Sequence, residues 1–431
     1  MIENATSSVI ATNGHDVAAP MRTMREEQRW ADLDRLRETH PMMDAVIDEV
    51  KGRRIRVGDH WLCDFASCNY LGFDLHPAII DSVADELRRW GTHPSWSRLL
   101  GNPRLYVDIE EQLTSLLKAP DTLVLPTITI IHTSIIPVLA GQGAVLIDSQ
   151  AHKTMYQGGT IARGAGATLY HVRPNDPEHL EQILRSLPPS MPRMFCIDGV
   201  NSMTGNMPPL PVYVRICREY ETLLYIDDAH GFGVIGENPT DSMPYGSKGN
   251  SIVRYFGESY DDLVLVSGFS KSYSSLLAFL ALPTALKDHL KVAAAPYLYS
   301  GPSPTASLAT VLAGFGVNAT EGDQLRQVLY QRTARVLDRV EELGLRTLNT
   351  SGFPIIELPL GNRDDIDAVG RFLFERGIYV TLAPYPLVPK SQVGFRIQVT
   401  AANGDDEIDQ LNAVLGELSE RFDMQRQPTP S

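Results

Sequence analysis

From Thr122 onward the chain repeats one pattern: a short apolar, β-prone run, a polar turn, then apolar residues at helical spacing. The runs expected to be strands are 123–125, 144–147, 168–171, 194–197, 223–226 and 263–266. Strands alternating with helices predict a mostly parallel sheet, in which ligands collect at the carboxyl ends of the strands. Four runs empty directly into reactive side chains: Asp148 then His152, Asp198 then Ser202, Asp227 then His230, and Ser267 then Lys271. A single aspartate after a strand is ordinarily a turn former or a helix cap. Four such ends, with histidines and a lysine among them, predict one shared crevice.

Two stretches define the chemistry. DDLVLVSGFSKSYSS, 261–275, is a strand run that opens into a loop of hydroxyls around Lys271. Such hydroxyls, with the backbone N–H groups beside them, suit a phosphate. LLYIDDAHGFGVIG, 223–236, ends its strand run in Asp227 and Asp228, with His230 in the turn. A lysine for a Schiff base and a carboxylate for a pyridine nitrogen are the two requirements of pyridoxal 5'-phosphate (PLP). Side chains alternate along a strand, so only one of the two aspartates faces the crevice, and the spacing to His230 selects Asp227.

Strand–Asp–x–Ala–His followed about forty residues later by strand–loop–Lys resembles the fold-type I PLP-dependent transferases. More narrowly it is similar to the α-oxoamine synthase family, over roughly residues 65–422 and most specifically in DDAHGFGVIG, AHKTMYQG, DGVNSMTG, the Lys271 loop and VGFRIQVTAAN. The resemblance implies a large domain with a mostly parallel central sheet and a smaller α+β C-terminal domain. It also implies decarboxylative condensation of an amino acid with an acyl thioester, carried by coenzyme A or a carrier protein, to an α-aminoketone. In this reading Lys271 forms the Schiff base and moves the α-proton, and Asp227 pairs with the pyridinium nitrogen. His230, helped by Ser202, bonds the phenolic oxygen, His152 stacks on the ring, and Arg396 takes the substrate carboxylate. Thr129, Ile130 and Ser270 fall at the phosphate, and Asn69 and Arg98 on the substrate side. A homodimer with shared sites is implied, with the 299–305 loop, Ser303 included, reaching the partner.

Several positions depart from the family pattern. Cys68 stands where an asparagine is usual, and Tyr106 replaces a histidine. A Gly-aromatic-x-x-Asn stretch becomes Ile128, Thr129, Ile130, Ile131 and His132. The threonines usual near the lysine and in the partner loop are Gly268 and Gly301. Competing readings are therefore another PLP reaction on the same fold, such as transamination, and a catalytically silent partner subunit.

At 431 residues the chain is long enough for two lobes and an arm. The expected division is a 1–60 arm, disordered at first and then helical, a 61–300 PLP domain, a 301–425 small domain and a 426–431 tail, with fraying from Asp423. A net charge of −14 argues against a general nucleic-acid binder. Four cysteines without a CxxC imply neither a zinc site nor a disulfide framework, and a reducing cytoplasm fits. The start of the chain lacks the basic and apolar regions of a secretory signal. The apolar run 123–147 contains His132, two prolines and a Gly-Gln-Gly break, so strand, buried helix, strand is expected rather than a membrane span.

Overall fold

The computed structural model describes residues 30–427; the expectations for the first twenty residues and the very end of the chain fall outside them. A helix Ala31–Thr39 stops before Pro41, which cannot continue it. Beyond it, residues 40–48 form no helix or strand, and Val46 is exposed. A three-stranded meander follows, β1 (Glu49–Lys51), β2 (Arg54–Val57) and β3 (His60–Asp64).

The central sheet has seven strands: β4 (Asp121–Leu125), β5 (Ala144–Asp148), β6 (Thr168–Val172), β7 (Arg193–Asp198), β8 (Leu223–Asp227), β9 (Leu263–Gly268) and β10 (Ala278–Leu282). Their order is β4-β10-β9-β8-β7-β5-β6, and β10 alone runs against its neighbours. Both faces are buried, as a parallel sheet between helices requires. Leu146, Leu224, Ile226 and Leu265 feed one apolar cluster, and Val145, Ile147, Tyr225 and Val264 the other. The sequence reading missed β10. Its alanines and leucines suit a helix as well as a strand, and only pairing between β4 and β9 selects the extended form.

The run 123–147 is strand, helix Ile128–Ala140 and strand, and no helix of the described residues is long and apolar enough to cross a membrane. The small sheet consists of β11 (Ile355–Pro359), β13 (Thr381–Ala383) and β14 (Gly394–Gln398), ordered β11-β14-β13, while β12 (Ile378–Tyr379) leaves it to pair in parallel with β3. The segment after β3 is tied to the same C-terminal region, with Gln398 N–H donating to Phe65 O and Ala401 N–H to Tyr70 O. From Asp423 to Gln427 the chain is not frayed: Met424 is buried and bridges to Leu360, and Arg426 bridges to Leu345.

Candidate active site

Five strand ends converge on one cavity of about 200 Å³. Ile128 and Thr129 come from beyond β4, His152 from beyond β5, Asp198, Val200 and Ser202 from the end of β7 and beyond, Asp227, Ala229 and His230 from β8, and Ser270 and Lys271 from beyond β9. The crevice expected from the strand-end pattern is thus present, and Lys271, Asp227, His152, His230, Ser202, Ser270 and Thr129 share it.

Alternation along β8 sorts the two aspartates. Tyr225 and Asp227 lie on one face, toward the helix Ile128–Ala140. Asp227 Oδ1 accepts the Ala229 N–H (3.0 Å) and Oδ2 pairs with His132 Nε2 (2.8 Å). Asp228 turns the other way and accepts the Ile252 N–H (2.9 Å). Their ionisation diverges. Burial alone would raise Asp227, but His132 beside it brings the carboxyl down to about 2. Burial, with a smaller push from Asp227, lifts Asp228 to about 8. Asp227 is therefore the aspartate that faces the cavity as an anion.

His152 caps the helix Lys153–Gly164: its backbone N–H donates to Asp198 Oδ1 (2.9 Å) and Nδ1 meets Thr154 Oγ1 (2.7 Å). Burial holds its pKa below the usual histidine value. Asp198 is pushed well up by burial and then by the Asp227 charge. Burial first, and then Lys271 and Arg396, hold His230 well below the usual histidine value, and Tyr70 Oη lies 2.8 Å from its Nδ1. Among the described residues Lys271 Nζ has no ion-pair or hydrogen-bond partner, leaving its amine free to react.

Other expected residues lie elsewhere. Ile130 does not line the cavity; its N–H is capped by Thr127 Oγ1 (3.3 Å). Asn69 donates to Asp74 Oδ2 (3.2 Å). Arg98 is buried, donating to Glu110 Oε1 (2.8 Å), Val124 O (2.6 Å) and Asn102 Oδ1 (3.0 Å), with Tyr106 stacked 4.3 Å from it. Its bonds serve the fold. Arg396 is half-buried, its guanidinium on the Ser202 carbonyl and near Gln398. Ser303 is buried within its own chain, its N–H donating to Tyr106 Oη (2.7 Å).

The cavity fits PLP by its donor set. The free amine and the buried anion stand on adjacent strands, and each Asp227 oxygen keeps a second lone pair for a ring N–H. Ile128 and Thr129, whose first-turn N–H groups have no intrahelical acceptor, line the same cavity with Ser270, and such groups suit a phosphate. Gly268 offers no hydroxyl, and a Cβ there would stand 3.0 Å from Ile128 Cδ1, so the isoleucine fills the space a threonine side chain would need. His132 was missed as a site residue. The available signal was a lone polar residue among Ile131, Ile135 and Ile136 on a buried helix.

The fold and this site define a fold-type I transferase. The family model for aminotransferase class I and II matches residues 62–415. Similar curated proteins include 8-amino-7-oxononanoate synthase 1 of Bacillus subtilis, 26% identical over 91% of this chain and 97% of that protein. The 8-amino-7-oxononanoate synthase of Dechloromonas aromatica is 30% identical over 87% and 94%. Among solved structures, a serine palmitoyltransferase from S. paucimobilis with a bound PLP–myriocin aldimine superposes with TM-score 0.84 at 20% identity, over 94% of this chain and 99% of that one. The chain belongs to the aminotransferase class I and II family and, within it, to the α-oxoamine synthases.

Proposed function

We propose that this protein is a PLP-dependent acyltransferase that condenses an amino acid with an acyl thioester, releases carbon dioxide and yields an α-aminoketone. The observation that carries the reading is the convergence of Lys271, Asp227, His152 and His230 on one cavity from three different strand ends. PLP, when bound, supplies an electron sink for charge developing at the substrate α-carbon.

The chain's own groups do the rest. Lys271 takes the α-proton and later returns one, acting as general base and then acid. Asp227, an anion in the wall, holds a proton on the ring nitrogen. The neutral His230 and Ser202 would hold the phenolic oxygen, and His152 would lie over the ring and exclude water. The helix start at Ile128 and Thr129, with Ser270, would hold the phosphate. Arg396 swings from the Ser202 carbonyl to the substrate carboxylate, for which its two-pronged geometry is suited. The thioester carrier is coenzyme A or an acyl carrier protein, the working form is a homodimer, and unpaired cysteines support a cytoplasmic setting. The proposed division is a 1–60 arm, a 61–300 cofactor domain and a 301–425 small domain.

The test is a mass-spectrometric screen of amino acids against acyl thioesters. An α-aminoketone formed with loss of one carbon dioxide per turnover is expected. A keto acid without acyl transfer would show transamination instead, and no turnover with any pair would leave the silent-subunit reading.

A further inference from the structure

We propose that His132 is a positioning residue that keeps the Asp227 carboxylate a weak base, so that a proton on the cofactor ring nitrogen stays there. The inference rests on the reading of Asp227 given above. His132 is fully buried, one turn inside a helix whose other buried residues are Ile131, Ile135, Ile136 and Ala140. An apolar residue would fill that place without the cost of burying an imidazole. What it does there is bridge two side chains two residues apart on β8, with Nε2 2.8 Å from Asp227 Oδ2 and Nδ1 3.0 Å from Tyr225 Oη.

The network assigns the protons. An ionised carboxylate only accepts, so Nε2 carries the hydrogen and donates to Asp227. On its other side Nδ1 is held by the buried Tyr225 hydroxyl (3.0 Å), which keeps the ring oriented for that donation. Tyr225 stays protonated because burial pushes its pKa well up. A proton shared between a pyridine nitrogen and a carboxylate rests on the stronger base. Donation from Nε2 withdraws charge from Asp227 and leaves the ring nitrogen the stronger base. His132 touches neither cofactor nor substrate. It acts through Asp227.

The experiment reconstitutes wild type, His132→Leu, His132→Gln and Asp227→Asn with PLP labelled with 15N in the ring and records the ring-nitrogen resonance at one fixed pH. His132→Leu is expected to move the resonance from the protonated toward the unprotonated position and to slow α-proton exchange on the order of tenfold, the scale of one hydrogen bond to a charged group. His132→Gln, whose amide donates from a similar reach, restores the resonance. His132→Met serves if the leucine variant does not fold. A resonance unmoved in the leucine or methionine variant, while Asp227→Asn moves it, overturns the role of His132 alone, even if exchange slows. A resonance unmoved in Asp227→Asn as well overturns the reading of Asp227 and this inference with it.

Discussion

Tyr70 Oη lies 2.8 Å from His230 Nδ1, joining the segment that precedes the large sheet to the turn after β8. Burial first, then Lys271 and Arg396, hold His230 well below the ordinary histidine range, so one ring nitrogen carries the hydrogen, the other accepts, and the bond to Tyr70 fixes which. Tyr70→Phe should release the tautomer and lower kcat by about tenfold with KM for the amino acid little changed. Unchanged kcat would remove Tyr70 from the site. The sign of the pKa shift adds a second expectation. Both His230 and His152 are depressed from 6.5, so neither becomes charged as pH falls through that value, and kcat should show no histidine limb there.

Lys271 is the expected attachment point of the cofactor. Borohydride reduction of the loaded enzyme followed by peptide mapping should place the pyridoxyl mass on Lys271, and a label on another lysine would contradict the site. Asp227→Ala should still accept the cofactor on Lys271 but lose α-proton exchange on the order of 10²–10⁴-fold. Asp228→Asn, altered on the face away from the cavity, should keep exchange near wild type. Similar losses in both aspartate variants would count against the assignment.

Glu357 stands directly across from Arg396 in the β11–β14 pair, fully buried, with neither carboxyl oxygen hydrogen-bonded. Burial, opposed by Arg346 and Arg396, lifts its pKa to about 7 from 4.5. The folded chain thus keeps a proton that the unfolded chain releases, and stability falls as pH rises from about 4.5 to about 7. Glu357→Gln should therefore stabilise the protein by about 1–3 kcal/mol at pH 8 and by less at pH 5. Denaturant melts at the two values check this, and an equal effect at both would refute the buried, proton-holding carboxyl.

Gly268 and Ile128 should behave as a coupled pair. A Cβ at 268 would meet Ile128 Cδ1 at 3.0 Å and Cγ1 at 3.2 Å, both of which Ile128→Ala removes. Gly268→Ala should destabilise the wild-type background by about 1 kcal/mol more than the Ile128→Ala background. Additive effects in a double-mutant cycle would show that the isoleucine does not fill that space.

The sequence by itself determined the candidate set that the cavity gathers. Lys271, Asp227, His152 and His230 each follow a short apolar run, and strand ends are local signals that converge once the sheet is parallel. The choice of Asp227 over Asp228 was also local, because side chains alternate with a period of two. Tertiary structure decided what local signals do not carry. The β10 run is ambiguous between helix and strand until β4 and β9 flank it. Arg98, expected near substrate, is drawn into Glu110 and the Val124 carbonyl because a buried guanidinium must satisfy its donors. The partners of the two site carboxylate and imidazole groups, His132 for Asp227 and Tyr70 for His230, lie 95 and 160 positions away. A hydrogen bond between buried side chains depends on which faces the packed elements turn to each other, and no periodicity or spacing along the chain encodes that.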